Sequence, residues 1–110
     1  MKTQLEKIDY FGGFQVLQSL AGGTGSGLGA HLIETLRDTF PKSCMVNLAV
    51  WPYQKGEVIL QNYNVLLTMS SLITHSSAFV TVFNDQVLTT CRELLKEKRP
   101  SYAMMNKVIA

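Results

Sequence analysis

The residues best suited to chemistry lie in the stretch Ala21-Gly22-Gly23-Thr24-Gly25-Ser26-Gly27-Leu28-Gly29, directly ahead of an apolar helical pattern. A helix N-terminus presents unpaired N–H groups and a partial positive charge, so it attracts phosphate. Glycines let a phosphate oxygen reach the backbone and admit positive φ. Thr24 and Ser26 add hydroxyl donors, and Ser26 is equally suited to cap the helix that follows. A Walker loop ends in Gly-Lys-Ser/Thr, and no lysine lies between Lys7 and Lys42. A hydrolase elbow around Ser26 needs glycine at positions 24 and 28, where Thr24 and Leu28 stand. Gly25-Ser26-Gly27-Leu28-Gly29-Ala30 does match the dinucleotide pattern GxGxxA. The next apolar segment, however, ends Ala49-Val50-Trp51-Pro52, with no carboxylate to hold a ribose. A nicotinamide-dependent oxidoreductase is weakened by that, and a loop that binds nothing and only permits close packing is the plainer alternative.

Other reactive side chains are scattered. Cys44 and Cys91 are far apart in sequence and are expected to be two buried thiols. His31 and His75 have no second ligand at helical spacing, which argues against a zinc site. The 110 residues are 46% hydrophobic and 16% charged, with a formal net charge of +2. That charge is too small to make nucleic acid or an anionic membrane the main partner. No apolar run reaches the roughly 20 residues that span a bilayer, and the opening residues have no signal-peptide core. A cytosolic, reducing setting is expected. The first residues read as the end of a polar helix and Asn106–Ala110 as the start of an apolar one, so the chain is expected to be a piece of a longer protein.

The elements around the glycines set what they can do. Lys2–Tyr10 is polar and helix-compatible, and Gly12-Gly13 breaks it. Phe14–Leu20 alternates as a strand does. Leu28, Leu32, Ile33, Leu36 and Phe40 recur at spacings of three and four, and Pro41 ends that helix. Met45–Trp51 is a short apolar run, the profile of a strand buried on both faces. Gln61 to about Thr74 reads as a helix whose stripe is Leu66, Met69 and Ile73, widened by Tyr63, Leu67 and Leu72. Ala78–Phe83 is a third strand, Asn84-Asp85 opens a third helix, and a last helix starts near Tyr102 after Pro100-Ser101. Alternation of this kind predicts an α/β, Rossmann-like layered fold with a mostly parallel sheet, residues 1–110 forming part of one domain. Ligands of such folds bind on the loops at the carboxyl ends of the strands, and the glycine stretch is one of those loops.

Gly22-Gly23-Thr24-Gly25-Ser26-Gly27 resembles the glycine-rich signature of the tubulin superfamily, with Ala21 where the usual form has a first glycine. Phe11-Gly12-Gly13-Phe14, Tyr63-Asn64, Phe83-Asn84-Asp85 and Ser101-Tyr102 followed by Asn106 fall in the family's order. Trp51–Asn64, with its short loop and Gln61-Asn62-Tyr63-Asn64, is most similar to the delta branch, with gamma chains as the alternative. The resemblance implies GTP as ligand. Ser19 and Gly22, Gly23, Thr24, Gly25, Ser26 and Gly27 would line its phosphates, and Glu57 and Gln61 would face the ribose. Asn84, otherwise a helix cap, and Asn106 would read the guanine edge, which an amide can do as donor and acceptor. Tyr102 would stack on the base. Any Mg2+ would be held by ligands outside this segment. The family's catalytic loop lies beyond it, so no enzymatic activity is expected of the chain itself. The implied partners are other tubulin subunits, and the implied setting is the cytoskeleton at centrioles, basal bodies or cilia.

Overall fold

The computed structural model describes residues 2–110 except 56–58, 95, 97 and 98. Three parallel strands form its sheet: β1 (Phe14–Ser19), β2 (Met45–Trp51) and β3 (Ala78–Phe83), in the order β1-β2-β3. Phe14 pairs with Met45 and Ser19 with Val50; Val46 pairs with Ala78 and Trp51 with Phe83. The Phe14 N–H to the Cys44 carbonyl (2.8 Å) and the Leu20 N–H to the Val50 carbonyl (3.1 Å) carry the ladder one bond further at each end.

Among the described residues five α-helices accompany the strands: α1 (Lys2–Leu5), α2 (Gly29–Thr39), α3 (Gln61–His75), α4 (Asn84–Leu94) and α5 (Tyr102–Ile109). The strands advance in one direction, so two right-handed crossovers put α2 and α3 on the same face. Ile33 of α2 and Val65 and Leu72 of α3 bury there against Leu20 and Ala49, with Val16, Trp51 and Met69 at the margin. A second cluster joins α4 to α5 through Val87, Cys91 and Met105, with Tyr53 and Val82 packed beside it. The mostly parallel α/β layering expected from the alternation is the fold observed.

Several local expectations shift. The first helix is one turn, Lys2–Leu5, and does not run on to Tyr10. On α3 the buried residues are Val65, Thr68 and Leu72; Tyr63, Leu66, Leu67 and Ile73 are about two-thirds exposed. The inward face is rotated because a polar residue can sit in it at little cost: the Thr68 hydroxyl donates to the Asn64 carbonyl within the helix (2.7 Å). Cys91 is buried as expected, but Cys44 is exposed. It precedes β2, outside the alternation that buries Met45, Asn47 and Ala49. Beside it, Gly13 has φ +135, and a Cβ there would collide with the Cys44 carbonyl oxygen. Only glycine suits that crossing.

One side chain ties the far end of the sheet together. Arg37, near the end of α2, donates through Nε to the His75 carbonyl (2.8 Å) and through Nη1 to the Pro41 (3.3 Å) and Ser43 (3.2 Å) carbonyls. Its Nη2 reaches the Ser77 hydroxyl (3.1 Å), which also accepts from the Met45 N–H (3.1 Å). The ends of α2 and α3 and the starts of β2 and β3 are thereby linked through one guanidinium.

Candidate functional site

β1 delivers the chain to the glycine stretch at the carboxyl end of the sheet. Residues Thr24–Leu28 make a π-helical turn that runs directly into α2. Gly23 before it has helical angles, φ −70 and ψ −52. Gly13 is the glycine with positive φ among the described residues, so the glycines of this turn are not required by backbone conformation. Packing explains two of them. A Cβ on Gly25 would lie 3.2 Å from the Ser19 carbonyl oxygen, and one on Gly29 would collide with the Gln18 carboxamide oxygen. Gly22, Gly23 and Gly27 are different, because a Cβ on any of them would meet nothing within 4 Å. These three leave open a strip of backbone beside exposed Thr24 and exposed Ser19.

Ser26 is 4% exposed, and its hydroxyl donates to the Gly22 carbonyl. It therefore braces the turn from inside, and α2 begins three residues later without a side-chain cap from it. Asn64 also secures this turn. Its Nδ2 donates to the Ala21 carbonyl (3.0 Å), tying α3 to the start of the stretch. In the sequence Asn64 belongs to the Tyr63-Asn64 pattern, and its place in the first turn of α3 is what lets its amide face the glycine loop.

The other candidates gather at the carboxyl ends of β2 and β3. Asn84 opens α4 immediately after β3 and is half-buried. Tyr102 opens α5, capped by Ser101 through the Met104 N–H (3.4 Å), and is 76% exposed. Asn106 is exposed one turn later, on the same side of the helix. Tyr53 joins these elements: its hydroxyl contacts the Met105 sulfur (3.5 Å). Burial, with Tyr102 and Asp85 nearby, raises its phenol above the ordinary 10.0. Asp85 accepts from the Gln54 N–H (3.0 Å) and so fixes the loop after β2. Gln61 spends its Nε2 on the Tyr53 carbonyl (2.9 Å), leaving its oxygen for a ligand. It borders a hollow of about 390 Å3 with Trp51, Phe83 and Asp85. Glu57 lies outside the described residues.

The structure thus brings two groups to one end of the sheet: the glycine turn after β1, and Asn84, Tyr102, Asn106 and Gln61 around β2 and β3. No carboxylate follows β2 among the described residues; Asp85, after β3, is held by the loop. A hollow of about 570 Å3 opens at the opposite end between Phe11, Phe40 and Cys44. It contains none of the loop donors, so its size does not make it the ligand site. Among the described residues no cluster of His, Cys, Asp or Glu could hold a metal, and no helix is long and apolar enough to cross a membrane.

A parallel α/β sheet with a glycine turn feeding a helix, and amides and an aromatic around the neighbouring strand ends, defines a nucleotide-binding domain of the layered type. The sequence model of the Tubulin/FtsZ family, GTPase domain, matches residues 1–92. The chain belongs to that family. It is 43% identical to the tubulin delta chain of Homo sapiens over 110 residues, all of this chain and 24% of that protein. The tubulin gamma chain of Eremothecium gossypii is 39% identical over 107 residues, 97% of this chain and 23% of that one. The tubulin beta-1 chain of Colletotrichum gloeosporioides is 36% identical over 111 residues, 100% of this chain and 25% of that one. The chain spans about a quarter of the length of these curated relatives.

The family model that matches describes a GTPase domain. That match overturns the expectation that the chain is no enzyme. That expectation assigned catalysis wholly to a later loop. Donors that cradle a transferring phosphoryl group are themselves catalytic machinery, since they stabilise the charge that develops on it.

Proposed function

We propose that the chain holds GTP at the carboxyl end of its sheet, within a delta-like tubulin of the cytoskeleton. The open strip over Gly22, Gly23 and Gly27 carries this reading. Glycine there is demanded neither by φ nor by a neighbouring atom, and close approach of an anion supplies the missing reason. The backbone N–H groups of residues 22–27 and the Thr24 hydroxyl hold the phosphates, with Ser19 beside them. Asn84 and Asn106 read the guanine edge, Tyr102 stacks on the base, and Gln61 with Glu57 faces the ribose. Bound GTP supplies the phosphoanhydride bond; these residues orient it and stabilise its charge. A Mg2+ ion accompanying it takes its ligands from outside these residues. The partners are other tubulin subunits, with no part for nucleic acid or membrane. The likeness to delta chains favours a setting at centrioles, basal bodies or cilia over small-molecule metabolism.

The test is Thr24→Val in the intact chain, which removes one hydroxyl and keeps the shape. GTP affinity is expected to fall roughly ten- to hundredfold, the worth of one bond to a charged group, with the melting temperature unchanged. Unchanged affinity contradicts the phosphate role of the turn.

A further inference from the structure

We propose that Gln18 is a positioning residue for the phosphate turn. On this proposal, its buried carboxamide engages the turn's backbone when an anion is held there, and so couples β1 to the ligand. The inference rests on the guanine-nucleotide reading and adds to it a residue that touches no ligand.

Gln18 alternates with Val16 and Leu20 on the face that α2 and α3 cover. It is 8% exposed, and neither its Oε1 nor its Nε2 has a hydrogen-bond partner among the described residues. The carboxamide lies directly against the first residue of α2: a Cβ on Gly29 would collide with Oε1 and come within 3.1 Å of Cδ. A long amide with both ends unpaired in a core is destabilising, and an apolar side chain of similar shape would avoid that. Gly29 is where the π-helical turn Thr24–Leu28 passes into α2. A π turn has one more residue per hydrogen-bonded ring than an α turn, and such turns recur at functional sites. Drawing the N–H groups of residues 22–27 onto an anion tightens this turn and moves its base. The donor and acceptor already waiting against Gly29 then find partners. Asn47 is the competing partner within the core. It stands diagonal to Gln18 across β1 and β2, and its Oδ1 is likewise unpartnered while its Nδ2 donates to Ser76.

The experiment uses the intact chain, with Gln18→Met, Gly29→Ala and the double variant, measuring GTP affinity and nucleotide-free melting temperature. Hydrogen exchange of residues 20–29 is followed with and without GTP. Gln18→Met is expected to melt no lower than the wild type, yet to bind GTP about tenfold more weakly, the loss of a buried bond. It should also lose most of the GTP-induced slowing of exchange in the turn. Gly29→Ala displaces the carboxamide and should weaken GTP binding similarly, with little further loss in the double variant. Full GTP affinity in Gln18→Met overturns the proposal, as do independent, multiplying losses in the double variant. A lower nucleotide-free melting point with unchanged exchange in the turn assigns Gln18 to the core beside Asn47 and equally overturns it. If the wild type itself fails to bind GTP, the nucleotide reading falls first, and that result is distinct from the others.

Discussion

Gly23→Ala separates what the fold requires from what a ligand requires. The backbone at Gly23 is helical, φ −70 and ψ −52, and a Cβ there meets no atom within 4 Å. Alanine fits both conditions and reduces the freedom of the unfolded chain. The substitution should therefore stabilise the fold by about 0.4–1 kcal/mol. A phosphate seated on the same backbone meets the new methyl group. Losing one hydrogen bond to a charged group costs about 1.5–3 kcal/mol, which is roughly a ten- to hundredfold weaker GTP affinity. Thermal denaturation without nucleotide reads the first effect, and titration with a fluorescent GTP analogue reads the second. Gly25→Ala is the control. Its Cβ would press to 3.2 Å on the Ser19 carbonyl oxygen, so it should lower stability. Gly23→Ala with raised stability and undiminished GTP affinity would refute the argument that open glycines mark the anion's seat.

Gly13→Ala should be among the most damaging single changes, at roughly 2 kcal/mol or more, because it combines a strained φ with a backbone collision; urea denaturation reads it. Arg37→Ala should cost roughly 2–3 kcal/mol by releasing several carbonyls at once, while GTP affinity stays unchanged at the other end of the sheet. The Tyr53 phenol is held above its ordinary value, first by burial and then by Tyr102 and Asp85. The folded state therefore resists its ionisation. Its contribution is complete below the unfolded value near 10 and is lost as pH rises through the folded value. Tyr53→Phe should flatten that alkaline loss in melting curves above pH 10.

The sequence carried the layering because each strand was short, alternating or apolar, and bounded by a turn or proline signal, and Pro41 marked the end of α2 to within two residues. The face of α3 was not legible from apolar spacing alone. Thr68 satisfies its own hydroxyl within the helix and so occupies a core position that Leu66 and Ile73 were expected to take. Arg37 carries no local signal either; its partners are set by the chain folding His75, Ser77 and Ser43 around it. At the site, the glycine turn was readable as chemistry, but the reason for each glycine was not. Gly25 and Gly29 serve neighbours in β1, and Gly22, Gly23 and Gly27 serve none. The inward turn of Ser26 belongs to the π-helical geometry, which no residue pattern announces, and the tie from Asn64 reaches Ala21 ahead of it.

The central claim is that the carboxyl end of this sheet holds a guanine nucleotide. Competition for a labelled guanine nucleotide bound to the intact chain tests it most directly. GTP is expected to displace the label and NAD to leave it in place. Displacement by NAD, or by neither nucleotide, would contradict the account.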